Sequence, residues 1–174
     1  MTHLRLHQLW LMVSPGNPLK PSAGMAPLAE RLASAQKIAD GRRIIATGIE
    51  ARLGTRYTAD TMRELKRRFP RQKFVWLMGA DNLCQLPRWD RWAWILHAMP
   101  MLVLPRPGAT RAALASQAAK RAQKHRLPAR AGLCLATAES PAWILLPVKE
   151  NAASATALRR KNLGISEGSE GMTP

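Results

Sequence analysis

"KFVWLMGADNL", residues 73–83, decides the fold class. An unbroken apolar run from Phe74 to Met78 is followed by Gly-Ala-Asp-Asn. A strand with one wet face alternates apolar and polar side chains, whereas a continuous run belongs to a strand covered on both faces, as in parallel sheets flanked by helices. The same pattern recurs in "HQLWLMV" (7–13), "RRIIATGI" (42–49), "MPMLVLP" (99–105) and "AWILLPV" (142–148). Between these strands, residues 26–40 place Leu28, Leu32 and Ala35 on one helical face, with Gly41 as a stop. Residues 58–69 align Met62, Leu65 and Phe69, and Thr61 and Glu64 have capping-box spacing. An Ala-rich basic helix is expected over 109–126 and a last one from 154 to 161. Strands alternating with helices predict an α/β fold, a parallel sheet with helices on both faces. One domain is expected over residues 1–162, with 163–174 as a disordered tail lacking any apolar period.

Bulk properties narrow the function less. An apolar content of 47% is that of a globular protein. Twenty-seven Lys and Arg against 11 Asp and Glu leave a net charge of +16, which attracts nucleotides, nucleic acids or acidic lipids without choosing among them. Cys84 and Cys134 have no metal-site spacing and read as reduced, buried thiols of a cytoplasmic protein. His3 and His7 lack a third ligand nearby. "LWLMV" (9–13) is too short to span a membrane, and no membrane partner is expected. A homo-oligomer stays open.

In a parallel α/β sheet, ligands bind at the carboxyl ends of the strands. The segments that follow the strands are "SPGNPLK", "GIEARLGTRYT", "GADNL" and "VKENAASAT", each polar or Gly-rich. Asp81 reads either as an acceptor for ribose hydroxyls or as a helix N-cap. Ser154, Thr156 and Arg159 form an anion site at a helix start, or an ordinary cap beside a solvated arginine. The W-x-x-W of Trp89 and Trp92 reads as packing by its spacing alone.

Together, "VSPGNPLK", "YTADTMREL", "MGADNLCQLPRWDRWAWI" and "SATALRR" resemble bacterial nicotinate-nucleotide adenylyltransferases, members of the nucleotidyltransferase superfamily with a Rossmann-like α/β fold. The resemblance runs in order over nearly the whole chain. It implies transfer of AMP from ATP to nicotinate mononucleotide, giving deamido-NAD and pyrophosphate in NAD biosynthesis, with Mg2+. It also implies that Trp89 stacks on the pyridine ring and that Lys20 and Thr58 bind the mononucleotide, with Tyr57 and Thr61 nearby. Asp81, Ser154, Thr156 and Arg159 would bind ATP. Trp92 is expected to face the core.

The superfamily signature, G-x-F-[DN]-P-x-H followed by H-x-G-H, is absent from the 174 residues. No catalytic residue is therefore assigned. "HLRLHQLWLMV" resembles the point where the family leaves its first helix for its second strand. The expectation is that a strand, a loop and a helix of roughly 30–40 residues are lacking, through a start site placed downstream of the true one or in a shortened paralogue. Loss of that strand exposes an apolar sheet edge. Two rival readings are weighed. One is an adenylyltransferase for another small phosphate ester, such as phosphopantetheine, which has no need of the Trp89 plate. The other is a non-catalytic RNA-binding protein using residues 111–130, a segment without interleaved aromatics for base stacking. Nucleic acid is not the expected partner.

Losing one fixed donor at a developing charge costs about 100- to 1000-fold in rate. The 174-residue chain is therefore expected to show negligible turnover with ATP, magnesium and nicotinate mononucleotide; ordinary turnover in a pyrophosphate-release assay would overturn this.

Overall fold

A computed structural model describes residues 4–16 and 25–150. Five short strands occupy the centres of the five apolar runs: β1 (Leu9–Met12), β2 (Ile44–Thr47), β3 (Trp76–Gly79), β4 (Met101–Leu104) and β5 (Trp143–Leu145). Every pairing is parallel: Leu9 lies opposite Ile44, Trp76 opposite Met101, and Met101 opposite Trp143. Helices connect them: α1 (Leu28–Gln36), α2 (Ile49–Leu53), α3 (Thr58–Arg68), α4 (Ala80–Gln85), α5 (Trp92–Ala98), α6 (Thr110–Ala115) and α7 (Gln117–Arg121). The predicted parallel α/β architecture is the observed one.

Side chains alternate across a strand with period two, so β3, β4 and β5 feed two cores. On one face Met78, Met101, Val103 and Trp143 pack with Met62 of α3, Leu83 of α4 and Ile95 of α5. On the other, Leu102 and Ile144 pack with Leu4 and Leu135, and Val75, Leu77 and Leu104 lie against them. Leu135 belongs to a 3₁₀ segment, Ala129–Thr137, so this face is closed by tight turns and not by an α-helix. Continuous apolar strands follow from having both faces covered. The Trp143 indole N–H, deep in the first core, donates to the Ala122 carbonyl at 2.8 Å.

The sheet is divided. Among the described residues, β1 and β2 form one sheet and β3, β4 and β5 another. The free edges of β1 and β3 line a single cavity of about 2030 Å³. The two-stranded sheet is thinly covered: α1 turns Leu28, Leu32 and Ala35 inward, yet buries none of its residues fully. Asp40 organises the entry to β2. Its Oδ1 accepts N–H bonds from Arg42, Arg43 and Ile44 at 2.9, 2.7 and 2.8 Å, and these donors hold its carboxyl below the usual range.

Several local expectations are corrected. The basic helix is broken at Ser116, whose extended ψ of 157° ends α6 and whose Oγ accepts the Ala119 N–H to start α7. The segment "GIEARLG", which follows β2, contains α2, closed by Gly54 in a left-handed conformation at φ 67°. No capping box forms at Thr61. Helix α3 already begins at Thr58, and Glu64 pairs with Arg67 and Arg68 instead. Cys134 is exposed and Cys84 half-buried; burial and the Asp81 carboxylate push the Cys84 thiol up.

Leu102 sits at the centre of β4 and is 1% exposed. Leu102→Ala is expected to cost about 2–5 kcal/mol in a denaturant titration, because the cavity adds to the lost transfer energy. Ile38→Ala, at a side chain 71% exposed, should stay within about 0.5 kcal/mol of the parent.

Candidate functional site

The carboxyl end of β3 builds the first wall. Gly79 ends the strand and is followed at once by α4, whose first turn carries Asp81. The N-cap position of α4 belongs to Gly79, and Asp81 lies inside the helix's first turn. The cap reading of Asp81 therefore does not hold. Its carboxylate is half exposed, 4.0 Å from the Arg106 Nε. A Cβ at residue 79 would run into the Asp81 carboxylate and approach Arg106 Nε to 3.1 Å. Glycine is what lets the acidic and basic groups close over the strand end.

Beyond α4, a 3₁₀ turn over Leu86–Arg88 with Pro87 inside it delivers Trp89. The Trp89 N–H donates to the Leu86 carbonyl at 2.9 Å, which fixes the backbone that carries the indole. Trp89 is half-buried: it leans on the main core while also lining the cavity. Trp92 packs on the core as expected, with the Arg121 guanidinium 5.6 Å above its ring. Trp94 is 37% exposed and lies under Arg63 at 5.3 Å.

The start of α3 builds the opposite wall. Tyr57 is extended, and its carbonyl accepts the N–H groups of Asp60 and Thr61, both at 3.0 Å. The first N–H groups of a helix have no intrahelical acceptor, so the Thr58 end is a donor surface. Thr61 serves the interior. Its fully buried hydroxyl lies 2.8 Å from Thr55 Oγ1 and donates to Glu50 Oε1 at 3.3 Å. The expectation that Thr61 offers its hydroxyl to a ligand is thereby corrected; with Glu50 it pins the turn that presents Thr58.

An ion-paired arginine ties the two walls together. Arg91, in a left-handed conformation at φ 50°, reaches from the tryptophan loop to Asp60 Oδ2 at 2.6 Å and also pairs with Asp90. The Arg91 guanidinium, helped by Arg63, holds the Asp60 carboxyl below the usual carboxylate range. Sequence reasoning missed this link, because Asp60 and Arg91 are 31 positions apart and share no local pattern.

The residues that line the cavity include Arg56, Tyr57, Thr58, Asn82, Arg88 and Trp89. Thr58 and Trp89, both marked from sequence, are thus brought to one cavity. Asp81 stands next to the lining residue Asn82. Lys20, Ser154, Thr156 and Arg159 lie outside the described residues. Among the described residues no three His, Cys, Asp or Glu side chains group as a metal cage, and no helix is long and apolar enough to cross a membrane.

Because the folded pKa of Asp60 lies below its unfolded value, the bond to Arg91 contributes its full stability above the unfolded value of 3.8 and loses it as pH falls through the lower folded one. Asp60→Asn should therefore melt below the parent at pH 7, with the difference shrinking under about pH 4. A gap that does not change with pH would show the pair to be idle.

No family model matches the chain. Curated relatives do. A probable nicotinate-nucleotide adenylyltransferase of Gluconobacter oxydans is 56% identical over 156 residues, 90% of this chain and 80% of the relative. One of Gluconacetobacter diazotrophicus is 52% identical over 163 residues, covering 94% and 76%. Among solved structures, Plasmodium falciparum nicotinic acid mononucleotide adenylyltransferase complexed with APC superposes with a TM-score of 0.56 at 12% identity, covering 89% of this chain and 68% of that one. Its likeness supports the Rossmann-like reading of the fold. With about half of the aligned residues identical over at least 90% of this chain and at least 76% of these relatives, the chain belongs to the nicotinate-nucleotide adenylyltransferase family.

Proposed function

We propose that this site binds nicotinate mononucleotide and ATP for transfer of AMP, forming deamido-NAD and pyrophosphate. The observation that supports the reading is that Trp89 and Thr58 both line the cavity bordered by the parallel strands. Family membership names the substrates. In this reaction the mononucleotide phosphate is the nucleophile, its oxygen bonding to the α-phosphorus of ATP as the bond to pyrophosphate breaks. No covalent protein intermediate is needed; the protein aligns the two phosphates and stabilises the charge that builds between them.

The residues divide that work. Trp89 offers a rigid indole face to the flat pyridine ring, at low entropic cost because only two side-chain torsions must be fixed. Thr58, with the free N–H groups of the α3 start, receives the mononucleotide, and Lys20 contributes a cation to its phosphate. Asp81 accepts hydrogen bonds from the ATP ribose. Ser154, Thr156 and Arg159 grip the ATP phosphates. With no carboxylate cage among the described residues, the donor set suits a Mg2+ that is held mainly by ATP phosphates and water. Bound there, it would neutralise phosphate charge.

Stacking of a planar ring on an indole is worth about 1–3 kcal/mol. Trp89→Ala should therefore weaken nicotinate mononucleotide binding by about 5- to 150-fold in calorimetry, while Trp89→Phe retains part of the affinity. Equal affinity for the Ala variant and the parent would remove Trp89 from the site. Asp81→Ala should weaken ATP binding and spare the mononucleotide, a contrast that separates the two halves of the site.

A further inference from the structure

The turn that carries Trp89 places an arginine where the backbone favours glycine. The Trp92 N–H donates to the Trp89 carbonyl at 3.2 Å and closes a four-residue turn over 89–92. Arg91, its third residue, is left-handed at φ 50° and ψ 36°. A Cβ is crowded in that conformation, so local geometry alone disfavours arginine there. The Arg91 carbonyl accepts the N–H groups of Trp94 and Ile95 at 2.9 and 3.1 Å, which starts α5. The crowded residue thus sits between the Trp89 turn and the helix that follows it.

Its side chain accounts for the choice. One guanidinium nitrogen reaches Asp60 Oδ2 at 2.6 Å, 31 positions back in the chain, while Nε pairs with Asp90 beside it. Asp60 lies in the first turn of α3, and its own N–H is held by the Tyr57 carbonyl at 3.0 Å. The other Asp60 oxygen takes Arg63 at 3.1 Å, and Arg63 in turn lies 5.3 Å above the Trp94 ring of α5. Two arginines therefore cross between α3 and the Trp89–α5 segment. Met62 of α3 and Ile95 of α5 already share the main core, so these outer contacts are not what keeps the helices together. What they add is a fixed position for the ends that reach the cavity. Thr58 comes two residues before Asp60, and Trp89 two residues before Arg91.

We infer that Arg91 and Asp60 are positioning residues for the mononucleotide: their ion pair sets where the Trp89 indole stands relative to the Thr58 end of α3. The inference rests on the proposed reading of Trp89 and Thr58 as mononucleotide ligands. Neither Arg91 nor Asp60 need touch the nucleotide. Binding is tighter when the groups that meet a ligand are ordered before it arrives, because less freedom is then lost. The planar guanidinium suits this task, since it engages Asp60 and Asp90 at once and so fixes a direction as well as a distance.

The test is calorimetric titration of nicotinate mononucleotide, and separately of ATP, into the full chain at a temperature where each variant is folded by far-UV dichroism. Arg91→Gly suits the backbone and removes the guanidinium. It should keep Tm near the parent's, weaken the mononucleotide about tenfold and leave ATP within about twofold. Asp60→Asn separates placement from charge. It makes the chain more positive, which by charge alone would tighten an anionic ligand; loss of the ion pair weakens the mononucleotide instead. In a Trp89→Ala background, Arg91→Gly should cost less than about twofold more, because no indole is left to place. Arg91→Lys keeps a cation without the planar fork and should recover part of the affinity. Arg67→Gln, which breaks an exposed pair with Glu64 on the same helix, should bind like the parent. Parent-like affinity in folded Arg91→Gly, tighter binding by Asp60→Asn, equal losses for ATP and mononucleotide, or an undiminished loss in the Trp89→Ala background would each overturn the inference alone. If Trp89→Ala binds like the parent, or the parent binds no mononucleotide, the functional reading fails and the inference falls with it. Should Arg91→Gly unfold, Asp60→Asn makes the same test from α3.

Discussion

The pairing requirement of two strand edges governs this molecule. Parallel strands are stable when both backbone rows and both faces are satisfied. Strands β3, β4 and β5 come close to that condition, with two cores behind them. Among the described residues, strand β1 has one strand partner, β2. The large cavity, the thin cover that α1 gives β1 and β2, and the contact of Trp10 with Phe69 and Phe74 accompany that asymmetry. An unpaired edge is a standing template for another strand, which natural sheets ordinarily pair, cover or charge.

The candidate site survives the division because its walls do not depend on the bare edges. Thr58 is set by α3, whose Met62 and Leu65 are buried in the interior. Trp89 is set by the turn after α4, on the same core. Arg91 then fastens one wall to the other at 2.6 Å through Asp60. Exposed ion pairs contribute little to global stability, yet a pair that joins two binding elements fixes their relative position. Gly79 works by leaving room: without a side chain at the strand end, Asp81 and Arg106 approach each other over it.

The strand centres and their parallel sense were legible in the apolar runs because burial on both faces removes polar residues from a strand. Trp92 was legible as packing from the W-x-x-W spacing, and it packs on the core. Elements that depend on distant partners were harder to read. Ser116 broke a helix that Ala-rich composition favoured, because its hydroxyl served the next turn better than the preceding one. The Thr61–Glu64 spacing suggested a cap, but tertiary packing drew Thr61 to Glu50 and Thr55 and left Glu64 to two arginines. Cys134 reads as a small apolar residue, and only its place on the outside of a 3₁₀ segment exposes it.

By itself, the sequence determined the α/β class, the parallel strands, the tryptophan-bearing loop and the family resemblance, because each is carried by local composition or by motifs read in order. Only the tertiary structure decided that Thr58 and Trp89 line one cavity and that Arg91 pairs with Asp60. Those outcomes rest on backbone groups and charges far apart in the chain, and their pairing is settled by the geometry of packing, which no local pattern encodes.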